Sequence, residues 1–295
     1  MANVTVIIPT YNEETNIADC IKSLDGFAEK IILMDNNSTD KTKEIAEGLG
    51  AKVIQSETSY KERLNTGITL PEISTVWVMN VDADERLTPD SKAELCSLTE
   101  KYLHDPTVNG IVLRYRFVFM GKLIRHSRSN KMRLFKKGKA FMENVELDEH
   151  FVLREGRSCN MKHSLLHIEY KGIDHLTRKM NEYALRKAKE VIEIQKKEKT
   201  VSYEGLASVT KKRRYLNYNL YYKLPIALRA KWYYIYVYYL HLRFLEGGPV
   251  TRIYYFIRVY WYKMLTDAYI KELQLLEEGK LIKDGEAINI KKIDY

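Results

Sequence analysis

The sequence predicts an α/β chain: a sheet with a parallel core at the amino-terminal end, then a mainly helical carboxy-terminal region. Two observations point there. Residues 4–81 alternate short, β-branched apolar runs with amphipathic stretches, the pattern of strands joined by right-handed helical crossovers. Beyond Gly172 the pattern is helical almost to the end, interrupted at Pro225 and broken at Gly247-Gly248-Pro249.

The elements follow in order. Val4–Pro9 is too short and too rich in Val and Ile for a helix and reads as a buried strand. Asn12–Leu24 places Ile17, Cys20, Ile21 and Leu24 on one helical face, with Gly26 as its stop. Lys30–Asp35 is a second strand, Lys41–Leu49 a helix ending at Gly50, Ala51–Gln55 a third strand and Thr75–Val81 a fourth. From Gly110 to about Tyr170 the expectation is a second, mixed sheet region packed against the first. Short strands are expected at Leu134–Phe135, Phe151–Leu153 and Leu165–Ile168. Helices are expected over Ile173–Lys199, Tyr215–Leu245 and Val250–Leu276. The domain reading is residues 1–171, with halves 1–109 and 110–171, followed by a basic, Tyr-rich helical region, 172–295.

With 45% hydrophobic and 29% charged residues, the 295-residue chain has the composition of an ordinary folded core, which argues against disorder. A net charge of +9 favours anionic partners: nucleotide phosphates, an acidic membrane surface or nucleic acid. Cys20, Cys96 and Cys159 are far apart, without metal-type spacing, and read as reduced structural thiols. The start, MANVTVIIPTYNEE, has no signal-peptide pattern, and no uncharged apolar run reaches the roughly 18–20 residues of a spanning helix. The expectation is a cytoplasmic protein, soluble or peripheral on the inner face of the membrane.

In open sheets of this kind ligands sit beyond the carboxyl ends of the strands, which singles out Pro9–Glu13, Asp35–Asn37 and Asp82–Asp84. Asp82 and Asp84, two apart after an apolar strand, project to the same side. Such a carboxylate pair is stable beside a cation, and Mg²⁺ or Mn²⁺ bridging to a diphosphate suits it. Taken alone, the pair equally suits a strand-end turn that caps a helix. Asp35 and its asparagines suit a nucleobase N–H or ribose hydroxyls, or an ordinary Asx turn, and Tyr11 suits stacking on a flat ring.

These segments closely resemble the successive motifs of family 2 glycosyltransferases: VTVIIPTYNEETNIADCIKSL, IILMDNNSTDKT and WVMNVDADERLTPD, then FMGKLIRH, MRLFKKGKAFMEN and VELDEHF. The resemblance covers about residues 3–190 and is nearest to bacterial enzymes that build lipopolysaccharide-core, capsule or exopolysaccharide sugars. It implies a GT-A (Rossmann-like) fold and metal-dependent, inverting transfer from a nucleoside-diphosphate sugar, most often UDP-linked, to a glycan or lipid-linked acceptor. It further implies that Pro9, Tyr11 and Glu13 line the nucleoside pocket, that Asp35 contacts the base and Asp82 ribose or metal, and that Asp84 is the principal ligand of Mn²⁺ or Mg²⁺. Arg63 and Asn65 match a segment beside the nucleotide, although relatives often have Arg directly before Asn and here Leu64 intervenes. Asp148-Glu149-His150 falls where the family keeps its catalytic acid. Glu149 is the expected base, Asp148 the alternative one residue away, and His150 the expected third metal ligand.

Three features carry open readings. The basic run of Arg125, Arg128, Lys131, Arg133, Lys136, Lys137 and Lys139 suits a diphosphate or an anionic acceptor, or is solvated surface. His163 and His167 stand four apart in a segment that looks extended, which favours structural roles over metal binding. The tyrosine-rich segments Trp232–Leu245 and Ile253–Leu265 suit an anionic membrane interface, packing within the chain, or a homo-oligomer. Two rival classes remain. A sugar-nucleotide or lipid nucleotidyltransferase would carry a glycine-rich basic loop where this chain has PTYNEE. A nucleic-acid-binding module would carry a compact recognition motif, and none is present, so nucleic acid is not an expected partner.

Overall fold

The computed structural model describes residues 3–143, 150–284 and 287–290, and these separate into two compact units. The first contains residues 3–143, 150–170 and 203–213; the second contains 171–202, 214–284 and 287–290. The stretch 203–213 lies inside the expected extension yet belongs to the first unit.

The first unit is built on β1 (Val4–Thr10), α1 (Ile17–Ser23), β2 (Lys30–Asp35), α2 (Thr42–Gly48), β3 (Lys52–Gln55), α3 (Tyr60–Gly67), β4 (Trp77–Asn80), β5 (Glu85–Arg86) and α4 (Pro89–Lys101). Then come β6 (Val108–Phe119), β7 (Lys122–Lys136), β8 (Ala140–Met142), β9 (Phe151–Leu153) and β10 (Arg157–Glu169). Eight of these strands form one sheet in the order β3-β2-β1-β4-β7-β6-β10-β5. β3, β2, β1 and β4 are mutually parallel; β7 runs antiparallel to β4 and β6, and β10 parallel to β6. The region expected as a second sheet is therefore the continuation of the first. Leu134–Phe135 and Leu165–Ile168 are parts of strands 15 and 13 residues long, with bulges near Tyr115 and Ser164, whereas Phe151–Leu153 is β9 itself, paired with β8 in a separate two-stranded sheet.

The side-chain period of two sorts the core. Val4, Val6 and Ile8 of β1 face a cluster with Ile17, Leu24, Trp77, Leu95 and Leu113. Ile7 faces the other way, with Met34, Leu64, Ile68, Val78, Phe135 and Phe151. On that second face α3 approaches closely. A Cβ on Gly67 would lie 2.8 Å from Ile7 Cγ2 and 3.0 Å from Met34 Cγ. α3 was not expected from the sequence, but its start is a capping box: Ser59 Oγ accepts from Glu62 N–H, and Ser59 N–H donates to the Glu62 carboxylate.

In the second unit, α5 (Gly172–Gln195) packs on α9 (Tyr262–Glu277), and α7 (Ile226–Tyr234) and α8 (Pro249–Tyr255) intervene in the chain; α6 (Ser208–Asn219) is divided, its residues 208–213 belonging to the first unit and 214–219 to the second. Its core holds Ala188, Val191, Tyr221, Tyr222 and Ile270. The two long helices expected after Tyr215 are both interrupted. α6 stops at Asn219, and wide π-helical turns occupy Ile235–Leu240 and Phe256–Trp261. β11 (Leu281–Asp284) and β12 (Ala287–Ile290), the last of the described residues, pair antiparallel. Among the described residues no helix is long and apolar enough to cross a membrane.

Candidate active site

The parallel strands bring three segments to one sheet edge, and a polar lattice staples them. Thr10 Oγ1 donates to Asp35 Oδ1 at 2.8 Å, and Ser38 donates to the same carboxylate from both its N–H (2.8 Å) and its hydroxyl (2.6 Å). Asp35 is fully buried, so its first role is to tie the ends of β1 and β2 together. Asn12 adopts a left-handed conformation (φ 53°), which asparagine tolerates, and binds the β2 loop twice. Its N–H donates to Ser38 Oγ and its Oδ1 accepts from Thr39 N–H. Glu13 N–H donates to Thr42 Oγ1, and the Glu13 carboxylate accepts from Asn16 Nδ2 and the Tyr170 hydroxyl. Its carbonyl accepts from the N–H groups of Asn16 and Ile17, so α1 begins later than the sequence pattern indicated. Pro9 pairs with Met34 inside the ladder, and the Tyr11 ring is half exposed at the strand end.

Arg63 is buried against this lattice. Its Nε and Nη1 are shielded from solvent and make no hydrogen bond. Burial lowers the pKa of its guanidinium, against the pull of Asp35 and Tyr60. A buried donor of this kind is costly unless something accepts from it. Asn65, two residues on, is committed: its Oδ1 accepts from Met142 N–H at 2.9 Å, and its Nδ2 donates to Met142 O at 3.4 Å.

Beyond β4 the chain turns through Asp82-Ala83-Asp84. Asp82 accepts from the Tyr60 hydroxyl at 2.7 Å and from Arg133 Nη2 at 3.4 Å, and Arg133 Nη1 also donates to the Tyr60 oxygen at 3.2 Å. Burial works to raise the Asp82 pKa, but Arg133, Lys131 and the Tyr60 hydrogen bond overcome it and hold the value at about 2. Lys131 stands two residues before Arg133 on β7, with a bulge at Arg133 between Met132 and Leu134. Its pKa is lowered by burial and by the neighbouring cations Arg133 and Arg213.

Asp84 meets a different partner. His167 Nε2 lies 3.5 Å from Asp84 Oδ2, and His167 Nδ1 lies 3.8 Å from Glu85 Oε1. β5 pairs with β10 so that His167 stands opposite Glu85, and Phe117 packs on the imidazole with ring centroids 4.9 Å apart. Burial works to lower the His167 pKa, yet Asp84 and Glu85 raise it above the ordinary imidazole value. The place is one where positive charge is favoured. An oxygen–nitrogen donor pair at this spacing fits a divalent ion, although among the described residues no group of three or more His, Cys, Asp or Glu side chains is arranged to enclose one.

His150, expected as the third ligand, is buried with its Nε2 3.1 Å from Arg213 Nη2, and its N–H donates to Glu143 Oε1. The histidine that the fold brings to Asp84 is His167. Asp148 and Glu149 lie outside the described residues. Sequence reasoning also passed over Tyr60 as a site residue. The capping box that starts α3 was the available signal, because it puts Tyr60 at the first helical position, with Arg63 three residues further along.

The glycosyl transferase family 2 model matches residues 5–157, more than half of the chain. The chain belongs to that family. The mixed sheet with its parallel β3-β2-β1-β4 block is accordingly a GT-A fold, followed by a helical carboxy-terminal region. An uncharacterized glycosyltransferase of Rickettsia conorii is 27% identical over 219 residues, covering 66% of this chain and 72% of that one. The lipopolysaccharide core biosynthesis glycosyltransferase LpsC of Rhizobium meliloti is 28% identical over 199 residues, covering 64% and 72%. Among solved structures, glucosyl-3-phosphoglycerate synthase of Mycobacterium tuberculosis, crystallised with Mn²⁺, UDP and glucosyl-3-phosphoglycerate, is 26% identical. The match covers 39% of this chain and 44% of that one, with a TM-score of 0.33.

Proposed function

We propose that this family 2 glycosyltransferase moves a sugar, with inversion, from a nucleoside-diphosphate sugar to a hydroxyl of a glycan or lipid-linked acceptor. The donor is UDP-linked in this reading, and the product belongs to cell-surface polysaccharide or lipopolysaccharide synthesis on the cytoplasmic face of the membrane. Residues 1–171 are the catalytic domain and 172–295 its extension. The observation that carries the reading is the placement of Asp84 and His167 beside the Asp82–Tyr60–Arg133 cluster, at the edge where the parallel strands end.

The roles follow from the chemistry of each group. Tyr11 offers its exposed ring to the base. Arg63 offers unfilled guanidinium donors to an acceptor atom of the nucleotide, and so relieves its own desolvation. Asp82 is held ionised by Arg133 and retains lone pairs for a ribose hydroxyl. Asp84 and a neutral His167 would hold Mn²⁺ or Mg²⁺. Bound there, the ion would supply positive charge to neutralise the diphosphate leaving group. Lys131 and Arg133 add fixed positive charge nearby. Glu149, or Asp148 beside it, takes the proton of the acceptor hydroxyl as that oxygen attacks the anomeric carbon and the bond to diphosphate breaks.

A thermal-shift screen of nucleoside-diphosphate sugars, with and without Mn²⁺, tests the proposal. Stabilisation by one donor that needs both the ion and Asp84 supports it. Failure of every nucleotide sugar to stabilise the protein, with or without the ion, contradicts it.

A further inference from the structure

We propose that residues 226–264 form a helical hairpin that docks on the surface of an anionic bilayer through an apolar tip. The inference concerns the second unit alone and does not rest on the transfer reading.

One leg is α7 with its π-helical continuation, and the other is α8 with its own π-helical turn leading into α9. The legs meet along a tyrosine seam. Tyr234 stacks on Tyr238 with centroids 5.2 Å apart, Tyr234 meets Tyr260 at 5.6 Å, and Tyr238 meets Tyr255 at 5.5 Å. Packing within the chain thus accounts for the inner tyrosines. It does not account for the tip, where Leu240, Leu242 and Leu245 are 71%, 56% and 68% exposed and Phe244 is 41% exposed. Leu242 is held there at φ 54°, a conformation that a leucine adopts only under constraint. Behind the tip, Trp232, Tyr236 and Tyr239 recur at helical spacing on the outer side of the first leg, each at least half exposed. Monomeric soluble proteins rarely present so many large apolar groups on one projection.

The charge distribution selects the occupant. Residues 226–264 contain six Lys or Arg and one acidic residue, Glu246; Arg229 is buried in an ion pair with Asp267, which leaves five to set against Glu246. Lys231 and Arg252, one on each leg, are exposed. A second copy of the chain would bring like charges together across a two-fold interface. An anionic lipid headgroup layer complements them, while leucines enter the acyl boundary and Trp and Tyr sit at headgroup level. Docking at the interface needs no spanning helix, in keeping with the absence of one among the described residues.

The test is flotation of the full chain with phosphatidylcholine vesicles, with and without phosphatidylglycerol. The inference predicts flotation that requires the anionic lipid. The exposed-tip variant Leu240→Asp/Leu242→Asp/Leu245→Asp should lose it by roughly tenfold or more at unchanged thermal stability. Lys231→Glu/Arg252→Glu, which leaves the tip intact, should weaken binding to anionic vesicles and leave the circular dichroism unchanged. Equal flotation of either variant and the wild type overturns the proposal. So does a stable wild-type dimer that ignores vesicles, which would assign the tip to a second copy.

Discussion

Arg133→Met is the perturbation that reads the site's electrostatics most cleanly. The guanidinium faces Asp82 and Tyr60 in a nearly dry setting, and the Asp82 side chain is a quarter exposed. The folded-state pKa of Asp82 stands at about 2 against an ordinary 3.8. At 1.36 kcal/mol per unit, that difference stabilises the fold by about 2 kcal/mol at neutral pH. Because the value is depressed, the contribution is complete above about pH 5 and fades as pH falls through 4 towards 2. At pH 3 roughly half of it remains. Removing Arg133 leaves a largely buried carboxylate and phenol without their cation, so the loss at pH 7 should be about 2 kcal/mol. The assay is a double-mutant cycle of Arg133→Met and Asp82→Asn by urea denaturation at pH 7 and pH 3. The coupling should be about 2 kcal/mol at pH 7 and clearly smaller at pH 3. A coupling near zero at pH 7, or one that grows on acidification, would refute the reasoning.

Gly67→Ala should destabilise the chain by roughly 1–3 kcal/mol in chemical denaturation, because the new methyl meets Ile7 and Met34 within 3.0 Å. Apparent Mn²⁺ affinity should rise with pH through the titration of His167. Its raised pKa means that the ion pairs with Asp84 and Glu85 persist below that value and are lost above it, where the imidazole becomes a ligand. In His167→Asn that part of the pH dependence should disappear from calorimetric Mn²⁺ titrations. Glu149→Gln should keep donor binding and lose transfer in single-turnover assays; if it is fully active and Asp148→Asn is inactive, the base is Asp148.

The parallel half of the sheet was legible because each of its strands is a local pattern: a short β-branched run ending in a turn residue, so β1, β2 and β4 appear almost where the apolar runs lie. β6, β7 and β10 were not, because their length comes from pairing partners distant in the chain, and Ile111–Met120 alternates apolar and basic residues whether its ladder is long or short. The same non-locality hid His167. Its spacing from His163 says nothing of Asp84, and only the β5–β10 register brings it there. Asp82 and Asp84 were recognisable as a pair, but the partners of Asp82 were not. They are Tyr60 and Arg133, which α3 and β7 bring to it. In the tail, helical periodicity was correct in kind. Pro225 marked the interruption between α6 and α7, while the π-helical turns at Ile235–Leu240 and Phe256–Trp261 have no proline or glycine to announce them.

The most direct measurement is anomalous diffraction from crystals soaked with UDP and Mn²⁺. The account predicts a single strong peak within bonding distance of an Asp84 carboxylate oxygen and His167 Nε2, with diphosphate density beside it. An ion bound elsewhere, or a nucleotide away from the ends of β1, β2 and β4, would contradict it.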